Sequence, residues 1–193
     1  MEINFSTQIP TLGNINGVHV WQMPIHPDVR GRLFKAYTSA NLELFPIPFE
    51  TYEHFFTESN KYVFRGMHFQ GNPHAVNKII SIVKGKALDF LFDMRGEKES
   101  FGVLQIIELD DKAAASIFIP TGVAHGYLAL EEKTILSYRM DGPFCGKCDS
   151  GFSGALVENY LPVALSETIQ SARDSAFPEF SNFKYLSGCT LTP

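Results

Sequence analysis

His68, Asp174, Tyr138 and Lys78 are the residues of this chain whose types suit proton transfer at carbon. His68 stands in Arg65-Gly66-Met67-His68-Phe69-Gln70, with Lys78 ten positions later. A second histidine, His125, lies in Pro120-Thr121-Gly122-Val123-Ala124-His125-Gly126. A histidine titrates near neutral pH and so can act as a general base. It works better when a carboxylate orients its ring and stabilises the imidazolium, and Asp174, far along the chain, is a candidate. Tyr138 can give or take a proton from an opposite face, and Lys78 can stabilise an enolate oxygen. Taken singly, each also has a structural reading. A histidine on a strand bonds to its neighbours, a core tyrosine packs, and a lysine at a strand start is solvated.

Rigid strands must hold such groups. Alternation predicts strands over 17–23, 33–37, 62–70, 78–84, 87–93, 102–109, 116–119, 126–130 and 134–140. Pro24-Ile25-His26-Pro27-Asp28 reads as a turn-rich connection, and further turn signals lie at Gly71-Asn72-Pro73, Lys84-Gly85-Lys86, Arg95-Gly96 and Asp110-Asp111. Short strands this closely spaced predict an all-β sandwich or barrel. Leu165 to Ser175 reads as a C-terminal helix outside it. The Gly- and Ser-rich stretch from about Cys145 to Leu161 carries no clear pattern. No linker or repeat interrupts the chain, so residues 1–193 are expected to form one domain.

The 193 residues are enough for a sizeable core, and 17 phenylalanines favour a β-rich one with bulky pockets. A formal net charge of -5 argues against nucleic acid as a partner but leaves room for a local cationic cluster around a small anion. Met1-Glu2-Ile3-Asn4-Phe5 has no positive leader and no stretch is long and apolar enough to span a membrane, so a cytoplasmic protein is expected. Three cysteines do not form a disulfide framework. Cys145-Gly146-Lys147-Cys148 reads as a turn with two thiols, because a structural zinc needs four ligands and only Cys189 remains as a further thiol.

Pro120-x-Gly122-x-x-His125 is similar to the late half of the mononuclear metal-cupin pattern. The early half of that pattern has His-x-His and a glutamate, whereas here Gln70 fills the second histidine's place and His74 and Lys78 follow. A lysine repels a divalent cation, and His68 with His125 is too small a ligand set, His74 being the one further candidate. No metal is expected at this pair.

Taken together, the motifs resemble the dTDP-4-dehydrorhamnose 3,5-epimerase family, over about Asp28 to Pro178. Four matches in order carry the resemblance: Arg65-Gly-x-His-Phe-Gln70 with Lys78; Pro120-x-Gly-x-Ala-His-Gly126; Tyr138, thirteen residues after His125; and Ser171-Ala172-Arg173-Asp174 with Pro178. The resemblance implies a cupin-type double-stranded β-helix, or jelly roll, with short C-terminal helical segments. It implies a homodimer whose N-terminal strands contribute to the partner's site, and no cofactor. The substrate would be a nucleotide-diphosphate 4-keto-6-deoxysugar. His68 would be the base, paired with Asp174, and Tyr138 the opposing acid. Lys78 and His125 would lie near the 4-keto oxygen, Arg65 would bind the diphosphate, and Arg30 would reach the partner subunit's site. Gln70, Lys35 and Phe144 complete the implied substrate-binding set. The chemistry is coherent: a ketone at carbon 4 acidifies carbons 3 and 5, and reprotonation of the enolate from the other face inverts the centre.

The chain departs from the family around the rim. Lys35 replaces a glutamate, Leu33 an aromatic and Phe144 a tyrosine. Phe56-Thr57-Glu58-Ser59-Asn60 stands for a longer polar stretch, and the usual tryptophan segment is unrecognisable between Cys148 and Pro162. Lys35, a pure donor, suits a base edge offering an acceptor, such as cytosine, so a CDP-linked sugar is one alternative. Inversion of one centre only, a 3,4-ketoisomerase and a non-catalytic binding module are the others.

Overall fold

Apolar–polar alternation becomes two facing antiparallel sheets in the computed structural model, which describes residues 11–22, 24–38 and 48–183. The strands are β1 (Thr11–Leu12), β2 (His19–Gln22), β3 (Ile25–Asp28), β4 (Gly31–Phe34), β5 (Glu53–Ser59), β6 (Phe64–Gln70) and β7 (Lys78–Lys84). They continue with β8 (Lys86–Asp93), β9 (Leu104–Asp110), β10 (Ala115–Ile119), β11 (Val123–Ala129), β12 (Thr134–Met140) and β13 (Asp149–Gly151). One sheet runs β1-β9-β8-β11-β6-β13 and the other β2-β10-β7-β12-β5, while β3 and β4 form a separate hairpin. This is an all-β jelly roll.

The period of two decides what each face buries. Along β7, β8, β11 and β12, residues such as Ile80, Ile82, Leu91, Tyr127 and Leu136 meet between the sheets. The opposite parity, Phe90, Phe92, Ala124 and Leu128, joins Phe64, Met67 and Phe69 on the outer face of the six-stranded sheet, under Phe152 and Val157. Trp21, Ile79 and Phe118 cover the outer face of the other sheet with Phe49. Lys78, His125 and Tyr138 share the inward parity of their strands, so the sandwich interior receives polar groups where a core would place methyls.

Strand β6 needs an extra residue to join this set. Its pairing with β11 runs His125↔His68 but Tyr127↔Arg65, so β6 bulges by one residue. The bulge puts Arg65 and His68, three apart, on the same side. Gly66 makes it possible at φ 140°. A side chain there would meet Gly126 Cα at 2.5 Å, and one at Gly126 would meet Arg65 O at 2.9 Å.

Several expectations need correction. The strand predicted over 17–23 is His19–Gln22, and Met23 lies outside the described residues. The strand predicted over 33–37 is Gly31–Phe34, and the turn-rich 24–28 stretch supplies β3, a hairpin edge on which Pro27 is tolerated. β5 had no sequence signal because it is an exposed edge strand that does not alternate. The predicted helix over 165–175 is broken. A 3-10 turn at Leu165–Glu167 gives way to extended chain, and only Ala172–Ser175 forms a helical turn, α1. The break is at Ile169, whose N–H donates to Tyr62 O and whose carbonyl accepts from Phe64 N, so its backbone serves the sheet. The unassigned 145–161 stretch contains β13, paired to β6, and a 3-10 segment at Gly154–Tyr160. Among the described residues, no helix is long and apolar enough to cross a membrane.

Candidate active site

One cavity of about 230 Å³ opens between the sheets, at the end where β7 begins and β6 and β12 finish. The six-stranded sheet supplies Arg65, His68, Gln70, His125 and Asp149. The other supplies Phe55, Thr57, Lys78, Tyr138 and Met140, and Phe144 sits at the rim.

His68 is tied to a carboxylate. Its Nε2 lies 2.8 Å from Asp174 Oδ1. Asp174 comes from α1, where Ser171 caps the turn by accepting from the Asp174 N–H. In a capping box the third-position carboxylate would turn back on the cap amide. Here it is spent on His68 and on the Gly66 N–H, 3.3 Å from Oδ2. Burial pushes the Asp174 carboxyl up, but the hydrogen bond and charge of His68, with the Gly66 and Ser171 bonds, outweigh it and hold it below its ordinary value. A carboxylate on Nε2 favours the tautomer with its hydrogen there and leaves the Nδ1 lone pair to take a proton. Phe177 stands edge-on at 5.8 Å and confines the ring.

A second histidine–carboxylate pair lies deeper. His125 Nε2 is 2.7 Å from Asp89 Oδ2, and Asp89 is fully buried. Burial raises the Asp89 carboxyl against the opposing pull of His125 and Lys78. Burial likewise lowers Lys78, with Asp149 and Asp89 drawing it back up. Neither sequence motif nor resemblance pointed to Asp89; the signal available was an acid between Leu88 and Phe90, inside the stretch Ala87 to Phe92 whose other residues are apolar.

Tyr138 faces these groups from the other sheet. Its ring stacks on Phe55 at 5.1 Å and meets His125 edge-on at 5.8 Å. Burial pushes its phenol well above the ordinary value, helped by Tyr127 and Asp89 and opposed by Arg65 and a hydrogen bond with Thr57. It therefore stays protonated, as a donor, throughout the neutral range. Arg65 is oriented by Ser59 Oγ, which accepts from its Nε at 3.1 Å, and Ser59 also meets the Tyr127 hydroxyl at 2.8 Å. This polar network was not foreseen from sequence either.

The remaining candidates sit differently. Gln70 lines the cavity, yet its amide is occupied: Nε2 donates to the His74 and Pro143 carbonyls, and Oε1 accepts from Cys145 N–H. It acts as a strut beneath the rim. Phe144 is 59% exposed, its N–H donating to Glu53. Arg30 and Lys35 are not among the lining residues. Arg30 is at the exposed turn of the β3–β4 hairpin, bonded to Asp28, and Lys35 is exposed just after β4.

A carboxylate-backed histidine on one wall, a protonated phenol on the other and a desolvated lysine between suit proton removal beside a carbonyl.

Comparison with known proteins points the same way. A family model described as dTDP-4-dehydrorhamnose 3,5-epimerase matches residues 13–182. A curated protein of that name from Methanothermobacter thermautotrophicus is 25% identical over 138 residues, covering 72% of this chain and 74% of the relative. One from Sinorhizobium fredii is 32% identical over 87 residues, and the matched stretch spans 45% of either protein. Among solved structures, the dTDP-4-dehydrorhamnose 3,5-epimerase of Sulfolobus tokodaii superposes with a TM-score of 0.81 at 26% identity, over 92% of this chain and 98% of that one. That of Bacillus anthracis, with TDP and PPi bound, gives 0.78 at 25% identity, over 88% and 99%.

Proposed function

Because this chain belongs to the dTDP-4-dehydrorhamnose 3,5-epimerase family, we propose that it inverts carbon 3, carbon 5 or both of a nucleotide-diphosphate-linked 4-keto-6-deoxyhexose. The observation that carries the reading is the opposition of His68–Asp174 on one sheet to Tyr138 on the other, across a single cavity.

His68 takes the proton from the carbon beside the ketone, and the electron pair moves to the carbon-4 oxygen. Lys78 and His125 stabilise that enolate, where a desolvated charge acts most strongly. Tyr138 returns a proton from the opposite face, which inverts the centre. Proton transfer and charge stabilisation by side chains suffice, with no redox step. Arg65 lies at the cavity wall with the charge a diphosphate requires.

The cavity falls below the roughly 300–1,000 Å³ of pockets that hold drug-sized ligands. A sugar ring fits this reading, with the nucleotide extending past the rim. In a homodimer the β3–β4 hairpin would carry Arg30 and Lys35 to the partner's rim and complete the nucleotide site. Lys35, with donors only, favours cytosine over thymine there.

Alkaline pH should discriminate the roles. Lys78 is cationic below its pKa, and burial lowers that pKa, so its charge is lost at a lower pH than an ordinary lysine's. Tyr138, shifted upward, keeps its proton over the same interval. The alkaline fall in kcat/KM therefore belongs to Lys78. Lys78→Arg, with a guanidinium that does not titrate there, should move the fall to higher pH. An unmoved alkaline limb would remove Lys78 from the assignment.

The direct test is proton NMR of the protein with dTDP- and CDP-linked 4-keto-6-deoxyglucose in deuterated water. Deuterium entering carbon 3, carbon 5 or both, with inversion, identifies the epimerised centre and the preferred nucleotide. Migration of the keto group would make it a ketoisomerase instead. Tight binding without exchange would make it a binding module. Tighter binding of the dTDP-sugar than the CDP analogue would end the role given to Lys35.

A further inference from the structure

The turn that reads in sequence as carrying two thiols meets a third donor in space. His74, Cys145 and Cys148 bring one ligand atom each to within 4.8 Å of one another, although His74 and Cys145 are 71 positions apart in the chain. We propose that these three side chains bind a zinc-type divalent cation that fastens the rim of the cavity. This site is separate from His68 and His125, and the inference does not depend on the epimerase reading.

The donor set selects the metal class. Two thiolates and an imidazole are soft to borderline ligands, which suit zinc and disfavour magnesium or calcium. Cys-x-x-Cys is the spacing common to zinc sites, and the two thiolates neutralise a dication. In tetrahedral zinc, bonds of about 2.3 Å to sulfur and 2.0–2.1 Å to nitrogen place ligand atoms about 3.5–3.8 Å apart. The present separations, none above 4.8 Å, lie within about 1 Å of that range. Three protein ligands leave a fourth position for water, as His74 is exposed and Cys145 half-buried, while Cys148 is buried beneath them.

The backbone is arranged for this. The Cys148 and Asp149 N–H groups both donate to the Cys145 carbonyl, at 2.9 and 2.8 Å, folding the two cysteines onto one side of a tight turn. Gly71 N–H donates to the Cys148 carbonyl at 2.9 Å, and His74 N–H to the Gly71 carbonyl at 3.1 Å. Gln70 joins the loops, holding the His74 and Pro143 carbonyls with one end of its amide and Cys145 N–H with the other. Such prior order lowers the cost of assembling a site from distant ligands. Phe144 and Asp149, which flank the cysteines, both line the cavity, so the ion would fix part of the cavity wall.

A cysteine pair needs further ligands, and the sequence offers only Cys189 as another thiol. Cys189 lies outside the described residues. The third donor is instead a histidine on the loop after β6.

The test uses the full chain, reduced, stripped with a chelator and titrated with zinc chloride, then with cobalt(II) as a spectroscopic substitute. A Cys189→Ser background restricts thiolate signals to the proposed pair. The expected result is one zinc per chain by elemental analysis and, with cobalt, thiolate charge-transfer absorption with tetrahedral d–d bands. His74→Ala, an exposed change that leaves the core untouched, should weaken zinc binding by at least about tenfold. Failure of the reduced chain to take up zinc would overturn the proposal. So would a cobalt spectrum without thiolate bands, or zinc affinity indifferent to His74→Ala. Isolation as a Cys145–Cys148 disulfide, with no zinc bound after reduction, would assign the pair to redox chemistry instead.

Discussion

His68→Ala should lower the rate of deuterium entry into the 4-keto sugar by roughly 10²–10⁴-fold, the usual contribution of a positioned general base. The loss should be in kcat, with KM little changed, because in the proposed mechanism the ring acts on a proton while other residues hold the nucleotide. The fold should survive. His68 is partly exposed, and Asp174 keeps its bond from Gly66 N–H in the imidazole's absence. Asp174→Asn should follow in the same direction with a smaller loss, since an amide no longer stabilises the imidazolium. Thermal melting alongside NMR exchange checks both variants. Exchange within a few-fold of the parent in His68→Ala would mean that the base is another residue. A mere rise in KM would make His68 a binding group.

Tyr138→Phe should separate two steps that wild-type protein couples. Inversion should fall by roughly 10²-fold or more, while deuterium exchange at the same carbon falls much less. In the proposed mechanism His68, on the other sheet, removes the proton, and an enolate that finds no donor on the tyrosine side regains a proton from the side it left. The variant keeps the stack on Phe55 at 5.1 Å, so the loss is confined to the hydroxyl and its bond with Thr57. The measurement is the ratio of deuterium incorporation to product formed, followed in one NMR tube. Equal losses in both would place Tyr138 in the first step and remove the opposite-face argument.

Which parts of this were legible beforehand follows from how far each signal reaches along the chain. The strands 78–84 and 134–140 were bounded as predicted, because alternation is written in consecutive residues and both run through the buried middle of a sheet. β5 escaped because an exposed edge strand has little need to alternate. The stretch 165–175 looked helical by local pattern, yet the sheet took the backbone of Ile169, a partner no local pattern could announce.

The residue types of the site were in the sequence: a histidine, a tyrosine and a lysine on predicted strands, and four motifs in family order. Their meeting was not. His68 and Asp174 are 106 residues apart and His125 and Asp89 are 36 apart, and only the β6–β11–β8 pairing with the capped turn at Ser171 brings each carboxylate to its ring. The bulge at Gly66 decides that Arg65 and His68 share a side, although three-residue spacing in a regular strand would oppose them. The grouping of His74 with Cys145 and Cys148 is of the same kind. Composition and period therefore determined the all-β class and the inventory of proton carriers. The tertiary structure decided their partners, their burial and hence the direction of their pKa shifts, because those depend on distances across sheets that no run of neighbouring residues encodes.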